Sequence, residues 1–169
     1  MDEMIDVVDE KNEVISEATR SEVHKKGLWH RGVSIIVKNS KGEILLQMRS
    51  SKKETSPNLL CLSASGHVSK GQSYWEAAKR ELEEEIGIST ELLEIDAFDQ
   101  IFRNSSNNME KEKIKVFSCI WEGDFKFQDG EVEWVKFFKV DELKRMLKEE
   151  SEKFAPTGIT QLKRYLKIE

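Results

Sequence analysis

Short runs of apolar residues follow one another through most of the chain. In the clearest run, 31–38, four β-branched residues stand within five positions, which predicts a strand buried on both faces. Asn39 to Gly42 are turn residues that end this run. The same reading predicts further strands at 43–49, 59–63, 93–102, 114–121 and 134–140.

A helical period stands out between two termination signals. Ser73 and Glu76 form the S-x-x-E pattern of a capping box, and Gly87 is a helix stop. A helix is therefore predicted from about 74 to 86, with an apolar stripe of Ala78, Leu82 and Ile86. Two more helices are predicted near the end of the chain, one at 142–148 capped by Asp141 and one at 161–167 opened by Thr160.

The first residues predict a hairpin. Apolar runs at 4–8 and 13–16 flank the polar segment 9–12, whose composition suits a tight turn. The hairpin is predicted to belong to an N-terminal extension, 1–27, of one domain covering 1–169. Since strands outnumber helices and helices flank them, the predicted fold is an α/β sandwich with a mixed sheet.

Composition narrows the classes of partner. A net charge of −5 and the lack of a basic stripe with interleaved aromatic residues argue against a nucleic-acid surface. Cys61 and Cys119 lie in apolar, strand-like surroundings, which is typical of reduced, buried thiols. The first residues are acidic rather than basic and apolar, and no segment has the length of a membrane span. We therefore expect a cytoplasmic protein.

The most informative chemistry lies in the helix predicted at 74–86. Residues three and four apart share a helix face, so Glu81, Glu84 and Glu85 point the same way. Three like charges repel each other unless a cation lies among them, and Mg²⁺ prefers oxygen ligands. A loop containing Gly66 and Gly71 comes just before the helix and allows close approach of backbone to a phosphate or metal. The alternative interpretation is a solvated acidic face.

Residues 66–88 resemble the Nudix box, a long and specific spaced motif. The box is a glycine, five residues, a glutamate, seven residues, then Arg-Glu-apolar-x-Glu-Glu-x-Gly-apolar. The residues that match are Gly66, Arg80, Glu81, Leu82, Glu84, Glu85, Gly87 and Ile88. Gln72 departs from it, because the box has glutamate there, and a neutral hydrogen bond is expected in place of an ion pair. The resemblance implies a Nudix-type α/β/α sandwich and Mg²⁺-dependent cleavage of a diphosphate linkage, with Mn²⁺ as a second possible ion.

The resemblance also implies roles for residues. The predicted metal ligands are the box glutamates and the backbone carbonyl of Ser65 or Gly66, and Arg80 is predicted to orient the glutamates. The general base is left open among Glu84, Glu85 and Glu133. Arg49 and His67 are candidates for binding substrate, although a surface ion pair is an equal interpretation of Arg49.

Most of the chain resembles one branch of this superfamily, related to isopentenyl-diphosphate isomerase. The shared segments are 6–12, 19–24, 28–31, 45–50 and 63–69. In the isomerases three histidines and two glutamates bind a second metal, which here implies His24, His30 and His67 with Glu110 and Glu112. The histidines could equally be hydrogen-bonded structural groups.

Ser65 argues against the isomerase chemistry. Isomerases protonate an alkene with a cysteine that precedes the Gly-His pair, and a serine hydroxyl has a far higher pKa than a thiol. Hydrolysis of a nucleoside diphosphate derivative or related small diphosphate is therefore preferred, with isomerisation and a non-catalytic diphosphate-binding module as alternatives. We expect a small-molecule partner, no nucleic-acid polymer, no membrane, and a monomer or homodimer. Four aromatic residues could stack on a substrate or pack in the core: Trp29, Trp75, Phe102 and Phe117.

Overall fold

A computed structural model describes residues 1–104, 106–127 and 130–169. Its strands are β1 (Met4–Val8), β2 (Val14–Thr19), β3 (Trp29–Lys38), β4 (Ile44–Arg49), β5 (Leu60–Cys61), β6 (Ala64–His67), β7 (Leu93–Arg103), β8 (Met109–Ile120) and β9 (Val132–Phe138). Its α-helices are α1 (Arg20–Lys26), α2 (Tyr74–Ile86), α3 (Val140–Glu149) and α4 (Pro156–Leu166), and a single 3₁₀ turn covers Ser151–Lys153. The predicted α/β fold with a mixed sheet is confirmed. Within the described ranges, no helix is both long and apolar enough to cross a bilayer.

Strand β3 is a central strand of the sheet. It runs parallel to β8 over ten residue pairs and antiparallel to β6, whereas it meets β4 only at Lys38 and Ile44. Strand β4 pairs instead with β5 and β9. The sheet therefore opens between β3 and β4, and Ser63 bridges the opening. Its buried hydroxyl accepts from the Val37 amide at 2.8 Å and donates to the Leu45 carbonyl at 2.6 Å.

Helices cover both faces of the sheet. Helix α2 packs against one face of the sheet, here called the α2 face, and buries its stripe of Ala78, Leu82 and Ile86 there. Alternate residues of β3, such as Ile35, belong to the same core. Helices α3 and α4 contribute Leu143 and other apolar side chains to a second core on the opposite face, here called the α4 face. The predicted buried thiols of the two cysteines are confirmed.

The predicted N-terminal hairpin is confirmed, and it is fastened to the loop before α2. The Lys70 amide donates to the Met4 carbonyl at 2.9 Å, and the Gly71 amide donates to the Asp6 carboxylate at 2.9 Å. Helix α1, which was not predicted, follows the hairpin directly. Its seven residues have a weak period, yet Thr19 accepts from the Glu22 amide at its start, so a capping signal was present.

Several predicted boundaries are wrong. Helix α3 begins at Val140 with Lys139 at its N-cap, so Asp141 lies in the first turn and is not the cap. Helix α4 begins at Pro156, four residues before Thr160, because proline suits the first helical position. Of the strand predicted at 59–63, only Leu60–Cys61 is a strand, β5. Strand β6 begins at Ala64, so Gly66 lies in a strand paired with β3 and not in the predicted loop. Strand β8 begins at Met109, five residues before the predicted start.

We expect Ser63→Ala to lower the free energy of unfolding by about 2–4 kcal/mol, because it leaves a buried N–H and a buried C=O without partners. Urea denaturation followed by circular dichroism measures this loss. Ser51→Ala, at an exposed turn position, is the control and should change stability by less than about 0.5 kcal/mol. Equal stability of the two variants would show that Ser63 does not hold the opening between β3 and β4.

Candidate functional site

Helix α2 is fixed at both ends, which sets the direction of its glutamates. The Ser73 hydroxyl accepts from the Glu76 amide at 3.2 Å, and the Glu76 carboxylate accepts from the Ser73 amide at 2.8 Å. Gly87 ends the helix with φ +71°, a conformation that favours glycine. In the preceding loop the Gln72 side chain accepts from the Ser69 amide at 3.4 Å, a hydrogen bond within the loop and not one between loop and helix.

Glu85 is buried between the two halves of the sheet. One carboxylate oxygen accepts from the Gln47 amide group at 2.6 Å and from the Ser65 backbone amide at 3.3 Å. Burial raises the pKa of Glu85 to about 8, and the nearby charge of Glu81 adds to this effect. Because the N–H and C=O of one strand residue point to the same side, the Ser65 carbonyl also lies on the side of Glu85.

Glu81 lies against the backbone of β6. A Cβ atom on Gly66 would be 2.1 Å from Cδ of Glu81, so any other residue at this position would displace the Glu81 carboxyl from its place against β6. Burial raises the pKa of Glu81 to about 7, although the positive charge of Arg80 opposes the rise. The distance from the Arg80 Nη1 to the Glu81 carboxylate is 2.7 Å.

The contacts of Arg80 are those of an orienting residue. Besides Glu81, its guanidinium contacts the Glu84 carboxylate at 3.2 Å and donates to the His67 carbonyl at 2.9 Å. Glu84 is the outermost of the three glutamates, with 52% of its side chain exposed. The predicted shared face therefore has two buried carboxyls and one exposed carboxylate at its edge.

Two buried carboxyls with raised pKa values indicate a site for a cation. Each carboxylate is costly to ionise in a poorly solvated position, and a divalent ion removes that cost. Glu81, Glu85 and the Ser65 carbonyl offer the oxygen ligands that Mg²⁺ prefers, and Glu84 lies at the solvent side of the same group. The donor set fits a hard divalent cation.

The three histidines converge from α1, β3 and β6. Ligand atoms of His24, His30 and His67 lie within 4.8 Å of one another. His24 Nδ1 contacts the Glu110 carboxylate at 2.6 Å, and Asn104 donates to the other oxygen of Glu110 at 2.6 Å. The convergence that the sequence alone left open is therefore present in the structure.

The unbonded ring nitrogens of this cluster suit a metal ion. Nε2 of His24 and Nε2 of His30 are buried with no hydrogen-bond partner in the described part of the chain. His30 Nδ1 donates to the Leu28 carbonyl at 3.0 Å, which leaves a lone pair on Nε2. Glu112 lies 3.6 Å from that Nε2. Carboxylate or carbonyl partners on the second ring nitrogen are typical of histidines that bind metal.

The pKa values of the two most buried histidines diverge. Burial lowers the pKa of His67 well below its usual value, and the positive charges around it act in the same direction. Burial also lowers the pKa of His30, but the nearby carboxylate of Glu112 outweighs it, so the net shift is upward. His67 is thus kept neutral, the form that binds a metal.

Two predicted site residues lie outside these clusters. The Arg49 guanidinium donates to the Thr55 carbonyl at 2.8 Å and the Ser56 carbonyl at 3.1 Å, so it fastens the loop after β4. Glu133 is exposed and lies in a bulge, since its neighbours Val132 and Trp134 pair with consecutive residues of β4. Their proposed roles as phosphate ligand and base stay predictions.

Sequence reasoning missed two contributions to the carboxylate site. Gln47 is a buried amide within the apolar run of β4, and a polar residue there was the only available signal. Lys53 and Glu131 form an ion pair whose charges also act on the pKa of Glu85. Both come from segments that meet α2 only in the folded chain.

Comparisons with known proteins identify the family. The model of the NUDIX domain matches residues 28–158. The Nudix hydrolase YfcD of Escherichia coli (strain K12) is 32% identical over 169 residues, covering 98% of this chain and 87% of YfcD. An isopentenyl-diphosphate Delta-isomerase of Serratia proteamaculans (strain 568) is 35% identical over 123 residues, covering 73% of this chain and 69% of the isomerase.

Solved structures agree with this assignment at the level of the fold. The crystal structure of DR0079 from Deinococcus radiodurans superposes with a TM-score of 0.79 and 21% identity, covering 96% of this chain and 98% of DR0079. The box, the fold and the matched region all lead to the same conclusion: the chain belongs to the Nudix family.

Proposed function

We propose that this member of the Nudix hydrolases is a Mg²⁺-dependent enzyme that cleaves the diphosphate linkage of a nucleoside diphosphate derivative or a related small diphosphate. The family acts on phosphorus-containing anhydrides. The observation that carries the proposal is the pair of buried carboxyls, Glu81 and Glu85, with pKa values raised to about 7 and about 8. Such groups are costly without a cation and well suited to hold one.

Each residue has a proposed task in this reaction. Glu81, Glu85 and the Ser65 carbonyl would hold the ion, and Arg80 keeps Glu81 turned toward β6. When bound, Mg²⁺ or Mn²⁺ would neutralise phosphate charge and make a water more acidic. Glu84 is exposed at the edge of the group and can reach solvent, so it is a candidate base together with Glu85 and Glu133.

The histidine cluster is proposed as a second metal site. Three imidazoles and the Glu112 carboxylate suit a first-row transition ion such as Mn²⁺ or Zn²⁺. His67 links the two sites, because its side chain belongs to the histidine cluster while its carbonyl accepts from Arg80. Its predicted role in binding substrate stays a prediction.

The histidine cluster also supports the alternative of prenyl diphosphate isomerisation. The relative from Serratia is named as an isopentenyl-diphosphate Delta-isomerase. Ser65 weighs against it, because the hydroxyl is a poor acid or base for exchange of a proton with carbon. A binding module without catalysis is the third alternative. The intact set of Glu81, Glu84 and Glu85, fixed in position on α2, favours hydrolysis over it.

We expect Glu85→Gln to lower kcat by roughly 100-fold or more. The neutral amide is a weaker ligand than a carboxylate for the cation that stabilises charge in the transition state. Phosphate release from ADP-ribose, dinucleoside polyphosphates and nucleoside triphosphates with Mg²⁺ measures it. Glu83→Gln, on the exposed side of α2, is the matched control and should keep activity. If the wild-type protein cleaves nothing in this panel, the hydrolase proposal is wrong.

We expect the metal-free protein to lose stability as pH rises. Both carboxyls bind their proton more tightly when folded, so the folded state holds more protons between the usual pKa of 4.5 and the raised values of about 7 and about 8. The free energy of unfolding therefore falls across that window, by at most about 1.4 kcal/mol per pH unit for each carboxyl.

Denaturant titrations from pH 4 to pH 9 with EDTA measure this fall. Glu85→Gln should flatten the upper part of the curve, and Glu83→Gln should leave it unchanged. Saturating Mg²⁺ should also flatten the curve, because a bound cation favours the ionised carboxylates. A wild-type curve that rises between pH 5 and pH 8 would contradict the buried carboxyl pair.

We expect the wild-type protein not to introduce deuterium from heavy water into the carbons of isopentenyl diphosphate, because Ser65 is a poor proton donor. Mass spectrometry of the recovered diphosphate detects even reversible protonation. Ser65→Cys supplies the missing acid and is expected to gain uptake if the rest of the isomerase site is present. Strong uptake by the wild type would overturn the hydrolase proposal in favour of the isomerase.

A further inference from the structure

Two glutamines form a buried pair on the α4 face. Gln161 of α4 donates to the side-chain oxygen of Gln100 of β7 at 3.1 Å. Only 8% of Gln161 and 6% of Gln100 are exposed. The side-chain oxygen of Gln161 nevertheless has no partner in the part of the chain described. Buried amides are almost always satisfied, so this acceptor indicates a donor that the chain itself does not supply.

Strand register places this pair beside the histidine cluster. Gln100 is paired with Glu112 across β7 and β8, and Glu112 is paired with His30 across β8 and β3. Residues that are paired across strands project from the same face of a sheet. A continuous polar row therefore runs on the α4 face from His30 through Glu112 to Gln100, and it ends at Gln161 above the sheet.

The same face adjoins the carboxylate site. Ser65 is paired with Ser34 of β3, which lies four residues from His30 on the same face. The backbone amide of Ser65 meanwhile contacts Glu85. Beyond Ser65 on the α4 face, Glu112 and the glutamine pair are therefore the residues that the organic group of a diphosphate held at the box glutamates would meet.

Helix α4 is held in place over this row independently of the glutamines. Arg164 forms a two-point ion pair with Asp96 of β7, at 2.6 and 3.0 Å, and stacks over the Phe98 ring. At the other end of the helix, Gly158 lies against the backbone of Cys61. Gln161 is therefore positioned by the packing of the helix and fixed in orientation by Gln100.

We propose that Gln161, oriented by Gln100, is a specificity-determining residue that accepts a hydrogen bond from a hydroxyl or N–H group of the substrate. This inference rests on the proposed diphosphate hydrolase function. It names the substrate class as diphosphates whose organic group carries a hydrogen-bond donor, such as a sugar or a base. A purely hydrocarbon group would leave the buried oxygen of Gln161 unpaired and would be disfavoured.

Matched probes test the inference without knowledge of the natural substrate. Alkyl diphosphates of three to six carbons are each compared with the ω-hydroxyalkyl diphosphate of the same length, and methyl diphosphate reports binding of the diphosphate alone. Calorimetry with Mg²⁺ measures Kd for the wild type, for Gln161→Leu and for Thr160→Val. Thr160 is exposed on the same helix and serves as the control.

We expect the wild type to bind at least one hydroxyalkyl probe about five- to tenfold more tightly than its alkyl counterpart, the worth of one hydrogen bond. Gln161→Leu should abolish this preference, keep the affinity for methyl diphosphate and leave the melting temperature unchanged or raised. Thr160→Val should keep the preference. A role in folding alone would instead lower the melting temperature and affect every probe alike.

Two other outcomes overturn the inference and are distinguishable. If the wild type binds methyl diphosphate but shows no preference at any length, or if Gln161→Leu keeps the preference, Gln161 contacts ordered water only and the hydrolase proposal is untouched. If no diphosphate binds at all, both the inference and the proposed function are wrong.

Discussion

The burial of two ionisable carboxyls beside the edge of one strand is the constraint on which the site depends. Glu81 and Glu85 give up solvation, and this loss is the main reason that their pKa values are raised. The surrounding residues offset part of it: Arg80 contacts one carboxylate, and Gln47 donates to the other. A divalent cation bound there, as proposed, would relieve the remaining cost, so an arrangement that is destabilising without metal would become a source of affinity for the ion.

Strand β6 couples the two candidate metal sites. One of its edges pairs with β3, while Gly66 and the Ser65 amide face the box glutamates. His67, one residue later, belongs to the histidine cluster through its side chain and contacts Arg80 through its carbonyl. A shift of this four-residue strand would disturb both sites at once. The hairpin fastened to the loop after β6 limits such a shift, which gives the N-terminal extension a role beyond carrying α1.

The features that the sequence predicted most accurately are those set by residues close to one another along the chain. Both ends of α2 match because a capping box and a glycine mark them, and the glutamates follow from helical spacing. Helix α1 was not predicted, because seven residues are too few to show a helical repeat of apolar positions. The start of α4 was predicted too late, because Pro156 at the first helical position is itself a start signal. Gln47 and the convergence of the histidines depend on strands that meet only in the folded sheet, so no local pattern could reveal them. The partners of Arg49 could not be predicted from the sequence either. They are backbone carbonyls, which every residue has, so the residue types give no sign of the contact.

The relation to the isomerases shows how one scaffold separates two reactions. Both chemistries need a diphosphate held by cations, and the proposed places for those cations are the box glutamates and the histidine cluster. They differ in what must happen next to the diphosphate: hydrolysis needs a base for water, whereas isomerisation needs an acid aimed at carbon. Such a difference can reside in the side chain at Ser65, whose backbone is already fixed by β3 and Glu85. Since exchanging that side chain leaves the strand pairing intact, the reaction can change while the architecture proposed to bind the diphosphate stays the same.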